Sequence, residues 1–586
     1  MNRNVESHFA QLPAAEIQRS TFDRSHGYKT SFCAGDIIPF MVDEVLPGDS
    51  FNISTSKVVR SQTMLTPIMD NLFLDVYYFF VPNRLVWKHW REFCGENREG
   101  AWAPTVEYTI PSIAPPAGGF AKGTIADYMG LPTGVEWKAT DPLAPSALPF
   151  RGYALICNEF FRDENLTDPL LISLDDANQL GSNGEDYAND VANGGKPFKA
   201  ARMHDYFSSC LPSSQKGTAV GIPIHVPGFA GGTFPVSTSA DWTVPPSAVP
   251  AVYGLFTIPG SGTLDGKTSY PASTGSSSLE KGQKIIVSDG SSAPGPMSSF
   301  VGSPIPYSRN VWAPINLSTT IPPTGSGSDV DASFTVNELR LAFAYQRFLE
   351  SLARNGSRYT ELLLGLFGVR SPDARLQRPE YLGGNRIPIS VSEVTNNSQS
   401  PEDYLGDLGA KSNTGDVNHD FIKSFTEHGY LFGLFVVRYD HSYSQGIERF
   451  WTRKKFTDFY NPKFAHLGET GVYQAEIMAT PENMADPSKV FGFQEIWADY
   501  RYKPSLVTGE MRPGANNSLA HWHLADYYAT VPTLSDGWIR EDKANVDRVL
   551  AVQSSVADQF WCDFWISNQC TRPMPMYSIP GLLDHF

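Results

Sequence analysis

His521-Trp-His523 holds two imidazoles two residues apart. That spacing turns both to one face of a strand and would supply half of a metal site, completed by Asp526 or His585. The plainer reading is a hydrogen-bonded aromatic cluster beside the core, and it takes precedence. Gly260-Ser-Gly-Thr-Leu-Asp-Gly-Lys-Thr268 approaches a phosphate-binding loop. Such a loop needs four residues between its first glycine and the Gly-Lys pair, so that backbone amides encircle the phosphates ahead of a helix. Here Gly262 leaves too few and Gly260 too many, and Ser269-Tyr-Pro271 breaks any helix that would follow. Carboxylates pair at Asp43-Glu44 and Asp175-Asp176, and lie among aromatics at Glu495, Asp499 and Glu510. A glycosidase sets two carboxyls across a cleft lined by sugar-stacking rings, and the 12 Trp keep that chemistry in view. Nothing in the pattern singles out two of the 62 acidic residues. A Gly-x-Ser-x-Gly nucleophile elbow is absent. We therefore expect no catalytic residue, no cofactor and no bound metal.

Arg449, Arg453, Lys454 and Lys455 interleave with Phe450, Trp451 and Phe456. Cations beside aromatic rings suit stacking on the unpaired bases of a single strand. The same residues fit a salt-bridged interface segment facing Asp458 and other acids. Arg370, Arg375 and Arg378, close to Pro372 and Pro379, pose the same choice. Six cysteines (Cys33, Cys94, Cys157, Cys210, Cys562 and Cys570) stand without CxxC spacing and read as buried free thiols.

The elements that must position these residues are mostly strands. Val76-Tyr-Tyr-Phe-Phe-Val81, closed by Pro82, is apolar throughout and predicts a strand covered on both faces. Gly429 to Arg438 and Asp558 to Ile566 predict two more core strands. In the second, Phe560, Cys562 and Phe564 alternate with Trp561 and Trp565. Arg84 to Phe93, stopped by Gly95, and Arg151 to Arg162 predict short helices. Thr335-Val-Asn-Glu338 is a capping box opening a helix whose stripe is Leu341, Tyr345, Phe348 and Leu352, stopped at Asn355-Gly356. A further helical piece runs from Tyr359 to Phe367. Residues 1–30 are polar and irregular and suit a terminal arm.

From 213 to 330 charge thins out and Gly, Pro, Ser and Thr dominate. Apolar runs at 252–258 and 284–287 persist, so we read a folded strand-and-turn insertion rather than disorder. Over the 586 residues, charged side chains make up only 18%, below the usual quarter, beside 49 Gly and 44 Pro. Low charge with many turn residues suits an all-β protein with long ordered loops. The net charge of −16 excludes a free nucleic-acid binder that works by bulk positive charge. The N-terminus lacks the apolar core of a signal peptide, and no apolar run approaches the roughly 18 residues of a membrane span.

A series of blocks runs from end to end: Gly35-Asp-Ile-Ile-Pro39, Asp43-Glu-Val-Leu-Pro-Gly-Asp49, Asp75 to Trp87, Arg358-Tyr359, Phe367 to Gly384, Gln494-Glu-Ile-Trp-Ala-Asp-Tyr-Arg-Tyr-Lys-Pro-Ser505, Trp522-His523 and the closing Pro580-Gly-Leu-Leu-Asp-His-Phe586. In order and spacing they resemble the major capsid proteins of gokushovirus-type microviruses, small single-stranded DNA bacteriophages. Residues 213–330 do not carry the resemblance. It implies a mainly β fold: an antiparallel eight-stranded jelly roll of viral capsid type, with long loop insertions and a few short helices. Its parts would be an arm (1–30), a first part of the jelly roll (31–212), a variable surface protrusion (213–330) and a second part with a C-terminal tail (331–586).

The resemblance further implies a structural protein, not an enzyme. It would self-assemble into a T=1 icosahedral shell of about 60 copies around a circular single-stranded DNA genome. A small basic DNA-packaging protein, an internal scaffolding protein and a bacterial surface receptor would be its partners, with no membrane insertion. Its places would be the virion and, during assembly, the host cytoplasm. Arg449, Trp451, Arg453, Lys454 and Lys455 would contact the DNA; Trp242, Tyr253, Tyr270, Phe300 and Trp312 would serve the protrusion; Leu582, Leu583 and Phe586 would dock the tail on a neighbour. The alternative is a bacterial carbohydrate-binding or carbohydrate-active β-protein.

Overall fold

The computed structural model describes residues 18–96, 107–217, 237–238, 251–257, 283–288, 317–318, 336–354, 358–369, 376–397, 405–406 and 408–577. The chain divides into two compact units, residues 1–220 with 344–586, and residues 221–343. In the smaller unit, Ala251–Thr257 pairs antiparallel with Gln283–Ser288, so the two apolar runs of that stretch meet as neighbouring strands. Ser237–Thr238 pairs likewise with Leu317–Ser318.

The larger unit is built on eight strands: β1 (His26–Phe32), β2 (Ile38–Val45), β3 (Ser50–Ser61), β4 (Leu72–Pro82), β5 (Glu380–Pro388), β6 (Thr414–Ser424), β7 (Gly429–Tyr439) and β8 (Phe560–Arg572). β1 pairs with β8, β2 with β7, β3 with β6 and β4 with β5, all antiparallel. Two further pairings, β8 with β3 and β7 with β4, complete the sheets β1-β8-β3-β6 and β5-β4-β7-β2. Consecutive strands lie in opposite sheets, with short turns joining β2 to β3 and β6 to β7, except for β4 and β5, which are antiparallel neighbours in one sheet. This is a ribbon of antiparallel pairs rolled into two facing sheets, the jelly roll that the resemblance implied.

Alternation along the strands places the core. Phe32, Phe40, Phe435 and Phe564 meet between the sheets, with Phe435 ring centroids 4.7 Å from Phe32, 5.8 Å from Phe40 and 5.1 Å from Phe564. β4 and β7 are apolar on both sides, as expected for β4. Val76, Tyr78 and Phe80 face the sandwich interior while Phe79 and Val81 face outward; Leu431, Phe435 and Val437 face in while Phe432, Leu434 and Val436 face out. The outward set is covered by the chain between β4 and β5, chiefly Trp87, Ile125 and the helix α1 (Leu148–Ile156) with Phe150 and Tyr153.

Register fixes where the two long connections leave. Pro82 at the end of β4 lies opposite Gly429 at the start of β7, and Leu72 lies opposite Tyr439. The β4–β5 connection therefore departs at one end of the sandwich and the β7–β8 connection at the other. The first reaches the second along the outer sheet face. Ile37 NH donates to Phe198 O, Ala200 NH to Gly35 O and Glu541 NH to Ala200 O.

Three local expectations change. The stretch 1–30 is not irregular from Ser20 onward: Ser20–Asp23 and β1 both pair with β8, since Tyr28 and Phe32 alternate inward. The helix expected over Arg84 to Phe93 is two short turns, Asn83–Val86 and Trp90–Phe93. Trp87 between them is extended, fully buried and bonded through its indole NH to Asp176 Oδ1 at 2.7 Å. The helix expected from Arg151 starts earlier, at Leu148, and passes into a π-turn over Cys157–Phe161. The helix Val336–Arg354 forms with Leu349 and Ala353 buried, while Tyr345 and Phe348 of the expected stripe are exposed; Thr335 of its capping box lies outside the described residues. Tyr359–Phe367 is helical as expected.

A buried ion pair joins two neighbouring strands on the inner face of one sheet. Lys57 on β3 and Asp420 on β6, each 1% exposed, lie 3.3 Å apart, and Tyr78 OH donates to Asp420 Oδ2 at 3.0 Å. Removing one partner leaves the other charge buried without compensation. Asp420→Ala should lower unfolding stability by about 3–5 kcal/mol, whereas the joint replacement Lys57→Met with Asp420→Leu should recover most of it. Urea unfolding of the two variants against the parent checks this.

Candidate functional site

The β7–β8 connection carries its own strand pair and, with Tyr206 and Phe207 of the β4–β5 connection, lines a pocket. Glu469–Tyr473 runs antiparallel to Val490–Glu495, and the turn after the first strand swings Glu476 back beneath it. Glu476 is buried and accepts from Tyr206 OH at 2.8 Å and from the Tyr473 amide at 2.9 Å. Arg449 lies 3.6 Å from Glu476 Oε1, stacks over the Tyr473 ring at 4.8 Å and donates to Gly471 O at 3.0 Å. After the second strand Trp497 adopts a left-handed conformation, φ 67°, with its indole NH on Phe464 O at 3.0 Å. Such strain persists only where surroundings enforce it. Here it turns Asp499 and Tyr500 toward Arg453, which pairs with Asp499 and lies 4.1 Å over the Tyr500 ring. Lys503 meets Glu448 at 3.3 Å. Together these groups enclose a cavity of about 280 Å³, whose remaining walls include Phe450, Tyr502 and Leu506.

The basic–aromatic run therefore divides. Arg449 and Arg453 are held inward by Glu476 and Asp499, and not by Asp458. Trp451 is 68% exposed beside Phe450, their rings 4.6 Å apart, and Phe456 is 80% exposed. Lys454 and Lys455 are exposed; Asp458 accepts from their backbone amides at 2.9 and 2.8 Å, and neither ammonium is in an ion pair among the described residues. The segment thus offers outward rings and outward cations over an internally neutralised base. Sequence reasoning missed Asp499, Tyr500, Tyr502 and Leu506 as partners of this run, although the first three lie inside the block Gln494 to Ser505.

Other expected sites land elsewhere. Trp242, Tyr270, Phe300, Trp312, Leu582, Leu583, Phe586, Arg370, Arg375, the loop 260–268 and His585 lie outside the described residues; Tyr253 lies on the strand Ala251–Thr257. His521 and His523 do not share a strand face, because Ala520–Trp522 is a 3₁₀ turn. His523 is spent internally, Nε2 on Met511 O at 2.6 Å and Nδ1 accepting from the Ala525 amide. No group of three or more His, Cys, Asp or Glu among the described residues is arranged to hold a metal ion. The carboxylates have structural duties: Asp43 pairs with Arg24, Asp176 binds Trp87 and His89, and Glu495 pairs with Arg501. Arg378 stacks on Phe160 at 5.7 Å. Five cysteines are buried and free; Cys94, at the end of a short helix, is exposed, against expectation.

Beneath this surface, where β7 ends, sits a buried charge network that no motif announced. Asp526 bonds Arg202, accepts from Tyr528 OH at 2.7 Å and from Asn545 Nδ2 at 2.6 Å, and lies 3.0 Å from His441 Nδ1. His441 Nε2 lies 3.1 Å from Glu541 Oε1. Arg202 also stacks over Trp538 at 4.7 Å. With His441 protonated, two cations face two carboxylates and the imidazolium donates from both nitrogens. Burial opposes that charge, but Glu541 and Asp526 outweigh it and raise the His441 pKa from 6.5 to about 9. Burial likewise opposes the Asp526 charge, yet Arg202 and His441 hold its carboxyl well below the usual range. The network ties β7, the outer cover (Arg202) and both ends of the β7–β8 connection (His441, Glu541) together.

The sequence matches the profile of the phage capsid protein (F protein) family over residues 10–582. It is 40% identical to capsid protein VP1 of Chlamydia phage 1 across 99% of this chain and 98% of that one. Against capsid protein VP1 of Spiroplasma virus 4 the identity is 37%, over 98% and 97%, and against that of Bdellovibrio phage phiMH2K it is 35%, over 100% and 99%.

A pKa raised on folding stabilises the protein below the unfolded pKa and loses that contribution as pH rises through the folded one. His441 should therefore contribute fully below about pH 6.5, and its contribution, a few kcal/mol, should fade as pH passes about 9. His441→Gln should be less stable at pH 6 and lose the decline between pH 6.5 and 9. Urea midpoints at pH 6, 8 and 10 for both proteins check this.

Proposed function

The chain belongs to the phage capsid protein (F protein) family, with the gokushovirus-type microviruses, and from that premise we propose how it works as a shell subunit. As a structural capsid protein it is a component of the virion and not an enzyme. The match over residues 10–582 carries this reading, and the eight-stranded jelly roll agrees with it. Identical subunits assemble by burying the same surfaces repeatedly under symmetry. We place about 60 copies in a closed T=1 shell around a circular single-stranded DNA genome. The carbohydrate-active alternative has no observation in its favour: Asp43, Asp176, Glu495 and Asp499 are engaged in structural bonds.

A protein of net charge −16 repels DNA as a whole, so contact must be local and most neutralisation must come from elsewhere, such as a small basic packaging protein. Lys454 and Lys455 with Trp451, Phe450 and Phe456 supply such a local contact. Arg449 and Arg453 shape it from below. The segment 213–330 supplies a variable surface for host attachment through Trp242, Tyr253, Tyr270, Phe300 and Trp312. Leu582, Leu583 and Phe586 give the tail an apolar anchor for a neighbouring subunit. An internal scaffolding protein assists assembly in the host cytoplasm.

Negative-stain microscopy and size-exclusion chromatography of the purified chain test the assembly reading: uniform closed particles or symmetric sub-assemblies are expected, and a strictly monomeric chain even with scaffold and DNA present would overturn it. For the DNA contact, Lys454→Ala with Lys455→Ala should weaken single-stranded oligonucleotide binding. It should also flatten the slope of log K against log salt by about 1.4. An unchanged slope in a salt titration would remove these lysines from the contact.

A further inference from the structure

The cavity under the lysine segment holds three cations and three carboxylates, in matched pairs: Arg449 with Glu476, Arg453 with Asp499, and Lys503 with Glu448. It therefore carries no net charge when these groups are ionised. A phosphate entering it would meet three carboxylates and no surplus cation, so it is not a phosphate site. The rest of its lining is mostly rings and apolar groups, among them Phe450, Tyr500, Tyr502, Ile447, Pro504 and Leu506, with Ser505 as a polar exception. A volume of about 280 Å³ equals that of roughly nine waters, room for one planar heterocycle with a little solvent but not for several stacked ones.

A neutral recess with exposed rings at its mouth and paired donors and acceptors at its floor suits a base, whose polar edge needs both kinds of partner. The surroundings decide between a base and another neutral polar group such as a sugar. Phe450, Trp451 and Phe456 step outward beside the recess, and Lys454 and Lys455 stand exposed between them. Rings and cations in succession match a polymer that alternates bases with phosphates; a lone sugar has no use for them.

We propose that this cavity receives one unstacked nucleobase of a single strand whose phosphates lie along Lys454 and Lys455. The proposal rests on the DNA-facing reading of that segment and adds to it a division of labour: lysines for the backbone, Trp451 and Phe456 for stacked bases, and the cavity for one base drawn out of the stack. Capture of the base is independent of sequence in its stacking part, and any preference arises at the carboxylate and guanidinium groups of the floor.

The test compares a short thymidine oligonucleotide with an abasic strand of the same length, both dye-labelled, binding to the unassembled full-length chain at fixed salt. Base stacking predicts about tenfold weaker binding for each base lost, so the abasic strand should bind at least that much more weakly. Leu506→Trp, which fills the recess from an exposed position, should bring the ratio of the two affinities toward that set by the outer rings alone, and Tyr502→Ala should act in the same direction if the larger side chain disturbs the local fold. Equal binding of both strands, or a ratio untouched by either variant, overturns the cavity. In that case weaker binding of both strands by the Lys454→Ala, Lys455→Ala protein still upholds the DNA-facing segment, and no oligonucleotide binding at all overturns both. Displacement of the probe by a free neutral sugar and not by thymidine would also overturn the base assignment.

Discussion

The larger unit depends on one constraint: the sheet β5-β4-β7-β2 is apolar on both faces, so it must be covered twice. The facing sheet covers one side. The other side, with Phe79, Val81, Phe432, Leu434 and Val436, has no strand to cover it and recruits the chain between β4 and β5. Burying side chains of this size is worth roughly 1.5–3 kcal/mol each, which makes that connection part of the fold. The same cover then runs to the opposite end of the sandwich and delivers Arg202, Tyr206 and Phe207 to the base of the β7–β8 connection. The candidate site is thus supported at a distance by a hydrophobic demand on two strands.

This explains what could be read from the sequence. β4 was legible because a run apolar at every position admits few other interpretations, and β8 because Phe560, Cys562, Phe564 and Ile566 alternate without interruption. The rolled topology was available only through resemblance, since strand pairing between residues several hundred positions apart leaves no local trace. Local rules failed where a distant contact overrode them. Trp87 breaks a promising helix because its indole is bound to Asp176. His521 and His523 lose their metal-like spacing because a 3₁₀ turn replaces the strand that the spacing presupposed. β1 reads as irregular in sequence because its outward positions are polar, as those of an edge strand beside solvent should be.

The site was half legible for a similar reason. The mixture of rings and cations from Arg449 to Phe456 was visible. Which cations stay outward was not, because Asp499 and Glu476 are contributed by other turns and neutralise the two arginines. Composition alone would have credited the segment with four positive charges; the fold leaves two exposed. The network of Arg202, His441, Asp526 and Glu541 was invisible, as its members come from four separate stretches and none belongs to a recognisable motif.

The pairing of β1 with β8 has a consequence in time. The strand that begins near residue 26 hydrogen-bonds along its length to one that ends at residue 572. At about 5–20 residues per second, a ribosome needs about half a minute to two minutes to supply the second after the first has emerged. Until β8 has been made the sheet β1-β8-β3-β6 lacks its central partner, and the nascent chain has no finished sandwich to offer a neighbour. The surfaces that bury one subunit against another therefore come into being only with the last strand of the roll.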